Sequence, residues 1–348
     1  MRRRFLLVVG VMTLVVSLQP WPSATATFRG DNGEVAFSAR RSGGDFDIVV
    51  MSADGSDQMV LTDDPGLDLA PAWSPDGAKI AWSSNAQATA QEIWVMNADG
   101  SDKTRLTTRL GDDTAPTWSP DGTKIAYQAA GDGGSDIWVM DADGADPTQL
   151  TFTRRKFETT SSWSPDGTRI AFTAFDGSSS DIFTMASNGT DRTNLTRSNA
   201  EEGGPSWSPG GTKLVFSRGT ETAAEIWTMR ADGSGQRRLT TNQVRDQSPV
   251  WSPDGSRIAF VTDRDGDFEI FTMRPDGSDK ERLTDDGRSN FSPDWQPACT
   301  HLGTEDADVL TGTAGPDLLC GLGGDDTLSA FAGESDNEVL FVHHASPI

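Results

Sequence analysis

The stretch PAWSPDGAKIAW, residues 71–82, decides how this chain folds, because near-copies of it recur: TWSPDGTKIAY from Thr117, SWSPDGTRIAF from Ser162, SWSPGGTKLVF from Ser206 and VWSPDGSRIAF from Val250. Trp73, Trp118, Trp163, Trp207, Trp251 and, in the degraded copy SPDWQP, Trp295 follow one another at steps of 45, 45, 44, 44 and 44 residues. A second marker keeps the same step: DIVVMSADG at Asp47, EIWVMNADG at Glu92, DIWVMDADG at Asp136, DIFTMASNG at Asp181, EIWTMRADG at Glu225 and EIFTMRPDG at Glu269. Each unit reads as four short strands: the P-x-W-S strand, a K-I-A-F strand, the E-I-W-V-M strand and a short R-L-T strand. PDG and ADG serve as the hairpin turns, since Pro presets its φ and Gly and Asp accept tight-turn dihedrals. KIAW and IWVM are apolar at consecutive positions and rich in β-branched and aromatic residues, which suits strands covered on both faces.

A period of about 44 residues per four-stranded unit is that of a β-propeller blade, whose sheets pack face to face around a channel. The first copy, Gly33-Glu34-Val35-Ala36-Phe37, has no tryptophan strand of its own, and nothing resembling KIAF follows Trp295. The two fragments complete one blade. The expected fold is therefore all-β, a six-bladed β-propeller closed by pairing of N- and C-terminal strands, with a short partial parallel β-roll as its tail.

These markers resemble the WD-like PD repeat of the periplasmic translocation protein TolB and of the propellers attached to dipeptidyl-peptidase-type enzymes, over roughly residues 28–297. The resemblance implies the propeller fold and leaves activity open, because this repeat serves many functions. TolB carries an α/β domain ahead of its propeller, for which the sequence leaves only a few residues. The peptidases carry a G-x-S-x-G nucleophile elbow, and the sequence contains none.

Residues 1–26 read as a signal peptide: Arg2, Arg3 and Arg4, an apolar run from Phe5 to Leu18, and the small-residue cleavage site Ala24-Thr25-Ala26. Arg-Arg-Arg-Phe-Leu also fits a loose twin-arginine pattern. The expected localisation is secreted or periplasmic, with no membrane insertion after cleavage, because no later apolar run approaches the length of a bilayer span. The propeller occupies 27–297. A formal charge of −23 repels phosphate backbones and excludes nucleic acid as a partner. It suits either a dispersed extracellular surface or the collection of cations or a basic partner.

Chemistry inside the repeats has few agents. The three histidines, His301, His343 and His344, and both cysteines lie beyond the last repeat strand, so carboxylates are the plentiful acid–base groups. Five residues before each marker tryptophan stand Asp68, Asp113, Glu158, Glu202, Asp246 and Asn290. At the start of the innermost strand, these six are expected to ring one channel mouth. Two readings remain open: each accepts hydrogen bonds from backbone N–H groups of the loop between blades, or together they hold a hydrated cation or a partner's basic side chain. A second acidic column, Asp47, Glu92, Asp136, Asp181, Glu225 and Glu269, reads as cross-strand partners of basic residues such as Lys79, Lys124 and Arg169.

After Pro297 the composition turns to glycine and aspartate. GTEDADVLT (303–311), GTAGPDLLC (312–320) and GLGGDDTLS (321–329) are three nonapeptides in register, which resemble the calcium-binding G-G-x-G-x-D-x-U-x repeat of RTX proteins. The resemblance implies calcium as the cofactor of residues 298–330, held weakly by turns built on Asp308, Asp317, Asp326, Gly321, Gly323 and Gly324. Asp308 and Asp326 would face each other one coil apart, whereas the partner of Asp317 would fall at Ser335. Residues 331–348 are expected to be irregular. Cys299 and Cys320, the two cysteines of an exported chain, are expected to form a disulfide.

Together these observations point to a secreted, non-enzymatic binding or scaffold protein that recognises a protein or cell-surface partner, with no catalytic residues. The alternative is a carboxylate- or metal-dependent hydrolase or lyase acting on extracellular polymer at the channel mouth.

Overall fold

The computed structural model describes residues 31–298 except 42, 132, 154, 155, 176, 221, and, in the tail, the backbone of 301–302, 309–311, 318–321, 327–329 and 339–342. Every element among them is a strand. The unit legible in the sequence is the unit of structure: Asp68–Trp73, Lys79–Ser84, Glu92–Asn97 and Thr104–Arg105 form one antiparallel four-stranded sheet in chain order. Units beginning at Glu201 and Asp246 repeat it. Two further units, beginning at Asp113 and Phe157, are joined into one eight-stranded sheet by a single parallel pair, Ser135 with Phe157. The N-terminal strands Asp31–Arg40, Phe46–Met51 and Met59–Val60 take their fourth strand from the far end of the repeats: Asn290–Ala298 pairs antiparallel with Asp31–Arg40, with Val35 opposite Trp295.

Burial follows the composition of the strands. Ile80 to Ser84 and Ile93 to Met96 are buried without interruption, as consecutive apolar runs require when sheets are covered on both faces. The marker tryptophans pack between neighbouring units; Trp118 Nε1 donates to Ala72 O at 3.2 Å in the preceding inner strand.

Each inner strand carries a β-bulge that the sequence does not announce. The third residue before the tryptophan adopts positive φ in every unit: Ala70, Ala115, Thr160, Gly204, Ser248 and Ser292. A glycine stands at one of the six. The bulge resolves a parity problem, because residues five apart in a regular strand face opposite ways. Asp68 pairs with Ser84 and Trp73 with Ile80, so five steps along the inner strand match four along its neighbour. Acid and tryptophan thereby share one face of the sheet.

In the tail, His301 pairs with Leu319 and Val309 with Thr327, both parallel and eighteen residues on. The segment beyond 330, expected to be irregular, contains the strand Val339–Val342, paired in parallel with Leu318–Gly321. Its register sets Leu319 opposite Leu340, twenty-one residues on. The calcium ligands and the Cys299–Cys320 disulfide expected here lie outside the described residues, apart from the backbone of Cys320 and Gly321.

Candidate functional site

Antiparallel pairing gathers both acidic columns at one end of the sheets. Ser84, the last residue of the second strand, lies opposite Asp68 on one side and Glu92 on the other. The same geometry corrects the expected partners of the second column. Lys79 and Lys124 begin their strands, so the hairpin sets them opposite the far end of the third strand: Lys79 faces Asn97, Arg169 faces Ala186, and Lys124 Nζ bonds Asp141 at 2.7 Å.

Asp47 is bonded by Arg41, at 2.6 Å, from the loop before its own strand, and the other five acids of the second column turn to the outer strand. Arg105 bonds Glu92 at 2.8 Å, Arg282 bonds Glu269 at 2.8 Å, and Arg238 bonds Glu225. Gln149 and Asn194 serve Asp136 and Asp181 through their amides. The threonine of R-L-T completes the lock. Thr62, Thr107, Thr151, Thr196, Thr240 and Thr284 each accept, on Oγ1, the backbone N–H of the isoleucine that follows the acid. Thr107 then donates to Glu92 at 2.8 Å. The D/E-I and R-L-T motifs are thus the two halves of one hydrogen-bonded clasp.

The six inner-strand residues, Asp68, Asp113, Glu158, Glu202, Asp246 and Asn290, are buried, each at most 2 % exposed. Their partners are mainly side chains. Arg218 Nε donates to Glu202 Oε1 at 2.7 Å, Arg264 approaches Asp246 at 3.3 Å, Arg192 bonds Glu158, and Arg109 stands 3.9 Å from Asp113. Each of these guanidinium groups also lies over an aromatic ring of the same sheet, at 4.5 Å from Trp227, Phe271 and Phe183 and 3.9 Å from Trp138. In the first repeat an indole replaces the arginine, Trp82 Nε1 donating to Asp68 at 3.3 Å. In the last, the Asn290 amide donates to Glu269 and Asp286, both at 3.1 Å, and so ties one unit to the column of its neighbour.

Burial pushes Asp113 up to about 6 against the pull of Arg109, and raises Asp68 and Glu202 despite their hydroxyl and cationic donors. Burial beside Asp113 likewise lifts Tyr127 to about 12. One oxygen each of Asp113, Glu158, Glu202 and Asn290 has no hydrogen-bond partner among the described residues. No group of three or more His, Cys, Asp or Glu side chains among those residues is placed to hold a metal ion.

The arginines escaped sequence reasoning because no column contains them. Arg109 precedes its acid by four residues, while Arg218, Arg264 and Arg192 follow theirs by 16, 18 and 34. The one signal was the aromatic pair at the centre of the second and third strands, a platform on which a cation can rest.

Comparison with known proteins accords with this architecture. The family model PD40, TolB beta propeller domain, matches residues 69–202 and 156–305. Among solved structures, TolB from Acinetobacter baumannii superposes with a TM-score of 0.69 at 22% identity, over 76% of this chain and 67% of that one. A putative TolB from Agrobacterium tumefaciens gives 0.60 at 23%, over 76% and 99%. An oligogalacturonate lyase in complex with manganese gives 0.50 at 16%, over 78% and 76%. No curated protein matches the chain in sequence.

Proposed function

Because this chain belongs to the TolB β-propeller family, we propose that it is an exported, non-enzymatic scaffold whose six blades close into a ring and present variable loops to a protein partner. Closure is supported by the pairing of Asp31–Arg40 with Asn290–Ala298 and by the Trp73 amide, which donates to Asp294 Oδ2 at 2.7 Å across the two ends of the repeat array.

The observation that carries the binding reading is the contrast between the two ends of the sheets. The PDG and ADG turns repeat almost unchanged, whereas the connections at the acidic end differ in every unit: SNAQATAQ after Ser83 against AFDGSSS after Thr173, TTRLGDD after Leu106 against TFTRRKFE after Leu150. Varied loops on a fixed scaffold are where recognition is written. Two of them hold Leu110 and Phe152 in solvent, 100% and 75% exposed. Partner capture with Leu110→Asp and Phe152→Asp tests this. Loss of the captured partner with unchanged melting supports the acidic end as the docking face, and undiminished capture refutes it.

The inner-strand acids contribute rigidity under this reading, because Glu158, Glu202 and Asp246 are paired with arginines and Asp68 with the Trp82 indole. The enzymatic alternative draws on the likeness to a manganese-bound lyase, a likeness of fold alone. Turnover of polygalacturonate or another acidic polymer by the purified chain, abolished in Asp113→Asn, would favour it.

For the tail, the parallel pairing at a step of eighteen residues supports a calcium roll of two nonapeptides per coil. Calcium should add β signal in circular dichroism, and the Asp308→Ala, Asp326→Ala double variant should lose that response. No helix among the described residues is long and apolar enough to cross a membrane. Export is supported by the basic and apolar leader of residues 1–26.

A further inference from the structure

At the end of the sheets opposite the acids, a cleft of about 730 Å³ opens between the unit that begins at Asp113 and the one that begins at Phe157. Val139, Leu150 and Trp163 line it with apolar surface, and Asp121, Asp146 and Asp166 line it with carboxylates. Trp163 is 4% exposed, and its indole N–H, like those of Trp73, Trp207, Trp251 and Trp295, has no acceptor among the described residues.

Carboxylates outnumber cations in the cleft, where Lys124 feels the charge of Asp121 and Asp146 as well as that of Asp141. Lys124, its one cationic residue, is held by Asp141 at 2.7 Å. The turn donors of Ser119 and Thr123 land on Oδ1 of Asp121, and those of Ser164 and Thr168 on Oδ1 of Asp166, which leaves Oδ2 of each for a ligand. Partial burial would raise both acids, but these donors outweigh it and hold them below the usual carboxylate range.

The sequence beside the cleft differs from that of the other units. At the position of Pro147 the other units carry Gln58, Lys103, Arg192, Gln236 and Lys280. Lys103 and Lys280 fold back on the carbonyls of Gly100 and Gly277 in their own turns. Proline has no side chain that can reach back in this way, and Asp146 and Thr148 on either side of it line the cleft.

We propose that this cleft binds the basic side chain, lysine or arginine, of a partner polypeptide, with the aliphatic stem against Trp163, Val139 and Leu150 and the cationic head among Asp121, Asp146 and Asp166. Long basic side chains divide in this manner between an apolar body and a charged tip. An aromatic face adds attraction for the cation. The site is independent of the loops at the acidic end, so it stands or falls apart from the docking face proposed there.

The test is titration of the full chain with N-acetyl-lysine methylamide, followed through backbone amide shifts of residues 119–124, 146–150 and 163–168. Saturable shifts are expected, absent with N-acetyl-norleucine methylamide and N-acetyl-glutamate methylamide. Asp146→Asn, at an exposed position whose turn hydrogen bond is made by the backbone carbonyl and not by the carboxylate, should weaken binding by about fivefold, the scale of an exposed ion pair. Asp166→Asn should do likewise. Asp254→Asn, at the equivalent turn of another sheet, controls for loss of the turn itself and should leave binding unchanged. Absence of saturation, equal shifts with norleucine, or undiminished binding in Asp146→Asn overturns the proposal.

Discussion

Arg218 shows how the buried acids of this protein are tolerated. Its side chain is 14% exposed, that of Glu202 is 0% exposed, and the guanidinium spans the gap while resting on Trp227. Removing one partner of such a pair leaves a buried charge, which costs about 3–5 kcal/mol, whereas removing both is far milder. Arg218→Met should therefore lower the urea midpoint strongly, and adding Glu202→Gln to it should recover most of the loss. A double variant as unstable as the single one would contradict this account. Asp113 has its arginine 3.9 Å away, and with Asp68 and Glu202, which burial also raises, it contributes to the pH dependence. Its folded value of about 6 exceeds the unfolded value near 3.9, so the native state binds the extra proton. Stability must fall as pH rises through the window between the two, by roughly 2–3 kcal/mol. Asp113→Asn, which fixes the neutral form, should match the parent at pH 4 and melt higher than it at pH 7.5. A variant that melts lower at pH 7.5 would show that the charge is useful. The acids at these positions were legible in the sequence as columns. Their arginines were not, because space is filled here from whichever loop can reach.

The four-stranded element was legible almost strand by strand, because turn chemistry and apolar runs agree on it. The bulge at Ala70 and its equivalents was not, since alanine, threonine and serine carry no signature of positive φ. The repeated glycine of the DG turns was legible for its conformation and concealed a second reason. Gly233 has φ +84, and a Cβ there would lie 2.6 Å from the carbonyl oxygen of Leu195 in the preceding unit. Gly189 meets Leu150 and Gly277 meets Leu239 in the same way, at 2.7 and 2.6 Å. The turn of one sheet thus seats on the R-L-T strand of the last, and each close approach excludes even a methyl group. Gly233→Ala should cost about 2 kcal/mol or more, since strain and clash add. Gly210→Ala, with nothing within 4 Å and no positive φ, should stay within about 0.5 kcal/mol of the parent. Equal losses in chemical denaturation would show that conformational entropy alone sets the cost. The threonine clasp predicts a third effect: Thr240→Val leaves the Ile226 amide, bonded at 2.9 Å, without an acceptor, at a cost of about 1–3 kcal/mol.

At the scale of the molecule, the seating of Gly55 is the informative contact. A Cβ on it would lie 2.4 Å from the carbonyl oxygen of Leu283, so the N-terminal sheet rests on the last repeat as each repeat rests on its predecessor. Asn290–Ala298 then supplies that N-terminal sheet with its inner strand. Trp295 packs with Val35, Phe37 and Val250, joining both ends of the chain in one core cluster. This pairing was legible from the sequence because the two ends lack complementary strands. If it closes the array, stability is a property of the circuit rather than a sum over sheets. A chain ending at Asp286 loses the inner strand, the Trp295 cluster and the Asp294 bond to Trp73, whereas one ending at Ala298 keeps all three. Losing a buried tryptophan alone costs about 3–5 kcal/mol, and each kilocalorie moves the midpoint of a domain this size by about 2–4 °C. The shorter chain should melt at least ~10 °C earlier or lose its single cooperative transition, while the chain ending at Ala298 should melt with the parent. An open solenoid would fray locally on the same deletion and keep most of its melting temperature, because each repeat there answers only to its neighbours.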